Sequence, residues 1–137
     1  MKQLRNALAA LVLMAAPAFA DDPEGADGAR AVIQSQLDAF AAQDVDAAYG
    51  FAAPAIKRMF PTPEIFGRMV REGYPMVWAP ASSEFLEAEP AGPGLVQRLR
   101  FVDQFGKPFI AEYRMIEVDG EWRIAGVRVI EDESFGA

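Results

Sequence analysis

Along the first half of the chain apolar residues return every three or four positions, whereas along the last third they alternate with polar ones. From Arg30 to Gln43, the residues Ile33, Leu37, Phe40 and Ala41 recur at helical spacing while Gln34 and Asp38 fall elsewhere on the wheel, which predicts a first helix. Asp44 is placed to cap a second, whose stripe of Val45, Ala48, Tyr49, Ala52, Ile56 and Phe60 runs through Pro54. Proline lacks the amide that would bond back to Gly50, so this helix should bend or break there. Thr62, Pro63 and Glu64 then supply a cap, a first helical residue and a favourable first-turn charge for a third helix. Its buried face is Ile65, Phe66, Met69 and Val70, and Gly73 before Tyr74 and Pro75 ends it.

Beyond Pro80 the period becomes two. Residues 82–89, 95–105, 109–118 and 121–131 read as four strands, and residues 77–79 leave room for a short fifth. Asp119-Gly120 is a two-residue hairpin turn and residues 91–94 a looser connection. A three-residue connection at Gly106-Lys107-Pro108 aligns Leu99, Phe101 and Asp103 with Met115, Tyr113 and Ala111, and the Asp-Gly hairpin then adds Ile124, Gly126 and Arg128 in the same rows. That register puts one coherent face inward, with Leu95, Phe109, Trp122 and Ile130 on it too. Helices followed by an antiparallel meander define an α+β domain, three helices packed on one face of a sheet of four or more strands.

The amino end changes the picture. Lys2 and Arg5, an apolar run over residues 7–16, and Ala18 and Ala20 around Phe19 read as a signal peptide over residues 1–20, the run being too short to span a bilayer. The expectation is a periplasmic or secreted protein, with a solvated, flexible acidic segment at residues 21–28 and a single domain at residues 29–137. Without Lys2 and Arg5 the formal charge goes from −7 to −9, which makes nucleic acid an unsuitable partner. There is no cysteine and no histidine. Disulfides, histidine-dependent nucleophilic catalysis and zinc sites of imidazole or thiolate are thereby excluded, and no cofactor or metal is expected.

Residues 33–40 (Ile-Gln-Ser-Gln-Leu-Asp-Ala-Phe), residues 69–78 (Met-Val-Arg-Glu-Gly-Tyr-Pro-Met-Val-Trp) and residues 122–126 (Trp-Arg-Ile-Ala-Gly) resemble the bacterial family called domain of unknown function 4864. The helix order and final hairpin are also similar to the nuclear-transport-factor-2-like, or cystatin-like, superfamily. The resemblance implies a cone, a curved sheet whose concave face is covered by the helices, often with a pocket at the open end. It does not select a function, since isomerases, dehydratases, hydrolases, ligand binders and dimerisation modules share that shape.

In the expected register Asp103, Ala111 and Arg128 share one row, so a buried Asp/Arg pair could anchor a ligand or, with Asp103 as general base and Tyr113 as donor, perform isomerase or hydrolase chemistry. The alternative is an ion pair closing the sheet rim. Tyr49, Tyr74, Trp78 and Tyr113 offer apolar bodies with a polar handle, Phe101 lies on the same inner face, and Gly126 opposite Tyr113 leaves room above the sheet. Lys57, Arg58, Arg68 and Arg71 gather basic charge on the second and third helices, an arrangement that solvated faces commonly show. The outer sheet face, with Val96, Val102, Ile110, Ile116, Val118, Ala125, Val127 and Val129 among charged residues, is half apolar, and a homodimer is expected through it. The readings this leaves are a binder of a small apolar ligand, an enzyme using Asp103, and a structural module without a pocket.

Overall fold

The structure is a computed structural model and describes residues 22–135. Among the described residues five α-helices precede a four-stranded antiparallel meander: α1 (Ala26–Ala41), α2 (Val45–Gly50), α3 (Pro54–Met59), α4 (Pro63–Gly73), α5 (Pro75–Trp78), then β1 (Ser82–Ala91), β2 (Gly94–Val102), β3 (Pro108–Val118) and β4 (Glu121–Glu131) in the order β1-β2-β3-β4. The α+β class and the helices-first order are as expected. The signal-peptide reading concerns residues outside those described. Among the described residues no helix is long and apolar enough to cross a membrane.

The stripe that runs through Pro54 breaks there, into α2 and α3. Asp44 caps α2 by accepting the Ala47 amide, and Thr62 caps α4 by accepting that of Ile65, each at 3.1 Å. Between α2 and α3 the backbone docks on the outer edge of β4: the Ala53 amide donates to the Ile124 carbonyl and the Ile124 amide to that of Phe51. An edge strand is thereby covered where it would otherwise present unpaired groups. Residues 77–79 form the end of a helical turn, not a strand.

Residues 22–28 depart from the solvated, flexible segment expected. α1 begins four residues early, Ala26 and Ala29 are buried, and the Asp22 carboxylate accepts two hydrogen bonds of 2.8 Å from the Arg30 guanidinium. Two glycines of this segment serve packing: a Cβ on Gly25 would lie 2.5 Å from the Trp122 indole and one on Gly28 3.0 Å from it. Trp122 thus lies across the first turn of α1 because both positions lack a side chain.

The sheet departs from the expected register at two places. β2 and β3 are joined by five residues, not three, so Val102 pairs with Pro108, Phe101 with Phe109 and Leu99 with Ala111. The cause is Asp103, whose carboxylate accepts the amides of Phe105 and Lys107 at 2.9 Å and so builds a turn out of what alternation marks as strand. A shift of four residues preserves the faces: Leu95, Leu99, Phe101, Tyr113 and Met115 stay inside, buried against Ile33 and Phe40 of α1. The Asp119-Gly120 turn, both residues at positive φ, holds the expected pair Met115 and Ile124. A bulge follows. Arg114 faces Gly126, so Ala125 is the extra residue and everything beyond it turns over. Val127 and Val129 face the core, while Arg128 and Ile130 face outward.

The outer face is consequently less apolar than expected and laced with ions. Arg98 bridges Glu87, Glu89 and Glu112; Glu112 also accepts Arg128; Arg100 bridges Glu84 and Asp132. The bond from Arg128 holds the Glu112 carboxyl below its ordinary range, and bonds from Ser134 and Arg100 do the same for Asp132. A depressed folded-state pKa contributes stability that is present above the unfolded carboxylate value, about pH 4, and is lost as pH falls through the folded value. Melting temperature is therefore expected to fall between pH 5 and pH 3, and Glu112→Gln to flatten that fall. Thermal melts followed by circular dichroism across this range check it, and equal slopes for the two proteins would refute it.

Candidate functional site

Between the helices and the β4 side of the sheet lies an open cavity of about 330 Å³, at the small end of the range for small-molecule sites. It exists because α2 and α3 are separate: the docked segment at Ala52 and Ala53 fixes where α3 starts, and Ile56, Met59 and Phe60 then form one wall. Phe66, Met69 and Val70 of α4 form a second, closed by Tyr74 and Val77, while Gln36 and Phe40 of α1 lie at its inner side. The sheet supplies Tyr113 and the bulged run Ile124–Val127. Met59 is 68% exposed and marks the mouth; Phe66, Val70 and Tyr113 are buried. Among the described residues lining the cavity none carries a charge.

Three lining side chains have polar atoms. Gln36 is committed to the fold, its Nε2 donating to the Ala48 carbonyl at 3.1 Å. Tyr74 is half-buried. Tyr113 is fully buried, yet its hydroxyl has no hydrogen-bond partner, and burial pushes its pKa well above the ordinary phenol value. The group is therefore a neutral phenol, able to donate one hydrogen bond and accept others.

Of the side chains singled out from the sequence as site residues, Tyr74 and Tyr113 line the cavity; Tyr49, Trp78, Phe101, Asp103 and Arg128 do not. Tyr49 donates to the Phe60 carbonyl at 2.7 Å and sets its ring against Phe66, so it ties α2 to the end of α3. Trp78 packs on Phe40, ring centres 5.5 Å apart, with Arg71 above it. Phe101 is core, tilted against Tyr113. Asp103 and Arg128 require correction: no row joins them, because the five-residue turn removes Asp103 from the sheet and the bulge turns Arg128 to the outer face. The Asp103 carboxylate is spent on turn amides and Arg128 on Glu112, so a general-base role for Asp103 has no footing in the cavity. Gly126 lies opposite Arg114, not Tyr113, and the Arg114 guanidinium lies over it, donating to the Ala125 carbonyl at 3.2 Å.

Sequence reasoning missed Gln36 and the walls from α3 and α4. Gln36 occupies a position that the 33, 37, 40 stripe surrounds, and a polar residue inside an apolar stripe is the signal that could have found it.

An α+β domain with helices over one face of an open meander and an uncharged cavity between the layers is the class that the fold and site define. The chain belongs to the family described as "Domain of unknown function (DUF4864)", whose model matches residues 23–137. A search of curated proteins finds no match. Among solved structures the chain is similar to one described as "Crystal structure of known function protein from Kribbella flavida DSM 17836", at 18% identity and a TM-score of 0.42, covering 78% of this chain and 88% of that one.

Proposed function

We propose that this protein is a binding module, exported by its amino-terminal segment, that holds a small, largely apolar ligand in the cavity between α3, α4 and β4. The observation that carries the reading is a space of about 330 Å³, open at Met59 and walled almost wholly by aliphatic and aromatic side chains. Transfer of an apolar molecule from water to such a wall is favourable at roughly 25 cal/mol per Å² buried, and a preformed site avoids most ordering cost. Catalysis is less well supported, because no carboxylate, lysine or arginine among the described residues lines the cavity. Dimerisation through the outer sheet face is less well supported too, since Val127 and Val129 have turned inward.

The test is fluorescence enhancement of N-phenyl-1-naphthylamine, an uncharged apolar dye. Wild type is expected to bind it, and Val127→Phe, which fills the cavity from a strand position suited to phenylalanine, to weaken binding at least tenfold while the melt remains cooperative. Equal binding by both proteins would place the dye elsewhere, and absence of binding by wild type would end the reading.

A further inference from the structure

The cavity's polar content is uneven. Gln36 already donates to Ala48, and Tyr74 sits where water can reach it, whereas the Tyr113 hydroxyl, on a fully buried residue, makes no hydrogen bond. A buried hydroxyl without a partner is uncommon and disfavours the free fold. The residue directly across the sheet, Gln97, does not relieve it, because the two side chains do not bond: the Gln97 Nε2 is taken by the carbonyls of Leu86, Glu87 and Arg98, and its Oε1 is itself unpartnered. Tyr113 lines the cavity and Gln97 does not.

We infer that the ligand is an uncharged molecule carrying one hydrogen-bond acceptor, of the carbonyl kind, which receives the Tyr113 hydroxyl proton in a hydrogen bond while its apolar body fills the space between Phe66, Met69 and Val127. This rests on the ligand-binding reading and narrows it. An anionic group does not fit, because no lining residue offers a positive charge to replace its lost hydration. A purely apolar molecule would fill the space and leave the hydroxyl unpaired.

The test uses three matched ten-carbon competitors of the bound dye: butylbenzene, its ketone butyrophenone, and 4-phenylbutyrate at pH 8. A neutral hydrogen bond is worth about 0.5–1.5 kcal/mol net, so Tyr113→Phe is expected to weaken butyrophenone by about twofold to twelvefold and to leave butylbenzene unchanged. The anion should bind wild type at least tenfold more weakly than the ketone. In wild type the carbonyl stretch of bound butyrophenone should lie below its frequency in hexane, a readout that needs no variant. A ketone whose affinity and carbonyl frequency ignore Tyr113, or preferred binding of 4-phenylbutyrate, overturns this inference and leaves the cavity reading standing. Failure of the dye and all three competitors to bind wild type overturns both.

Discussion

Replacing Gly94 by alanine is expected to lower stability by about 3 kcal/mol, the upper part of the range for overpacking a closed site. Gly94 opens β2, opposite Ala91 and just past the Gly92-Pro93 turn, where Gly92 takes the positive φ of 55° that the turn needs. A Cβ at position 94 would stand 1.9 Å from the Met115 carbonyl oxygen, 3.0 Å from its carbon and 3.2 Å from the Cα of Ile116. These are backbone atoms, and no rotamer change relieves them, so β2 and β3 must separate locally. Met115 flanks the bulge that sets Ala125–Val127 in the cavity wall, so dye binding should weaken along with the fold. Gly73→Ala is the control: an added Cβ there meets nothing within 4 Å and Gly73 closes α4 without a positive φ, so its effect should stay within about 0.5 kcal/mol. Urea midpoints at constant m report both. A Gly94→Ala midpoint equal to wild type would mean that β3 tolerates the displacement.

Gly94 also shows how far periodicity reaches. Alternation along residues 95–101 and 109–115 identifies the inner face of β2 and β3 even with the wrong loop, because the error in pairing was four residues, an even number. It fails at the bulge. Ala125 is small and apolar and suits either face, so nothing in the local pattern marks it as the extra residue, yet that one insertion exchanges Arg128 for Val127 and Val129 on the inner side. Asp103 was misplaced for a related reason: strand alternation and turn formation compete for the same residue, and the two amides its carboxylate captures decide the outcome. The helical half was legible as caps and stripes. Where α3 starts, and so the wall it gives the cavity, was not, because that depends on the long-range bonds of Phe51 and Ala53 to Ile124. The shape of the site is therefore a tertiary property, while the helical residues Ile56, Phe60, Phe66, Met69 and Val70 that wall it were visible as apolar stripes.

Gln97→Leu is expected to cost roughly 2–3 kcal/mol, although leucine is of similar size and the position is completely buried among apolar residues. The amide nitrogen of Gln97 serves three carbonyls, at 2.8 Å to Leu86, 3.3 Å to Glu87 and 2.7 Å to Arg98. Leu86 and Glu87 are the two residues that the β1 bulge leaves without a pair on β2, so an internal donor stands in for the missing ladder bonds. Leucine would leave those acceptors without it, and the penalty is the desolvation of carbonyl groups, not the loss of apolar contact. Across the same sheet, Tyr113→Phe runs the other way: its hydroxyl serves no partner in the free protein, so removing it is expected to raise stability by about 1 kcal/mol. Two buried polar side chains paired in register thus have opposite signs because one completes the fold and the other does not. Calorimetric melts of the two variants, without ligand, check the contrast. Destabilisation by Tyr113→Phe comparable to that of Gln97→Leu would show that the hydroxyl is satisfied within the fold, and would remove the reason to assign it to a ligand.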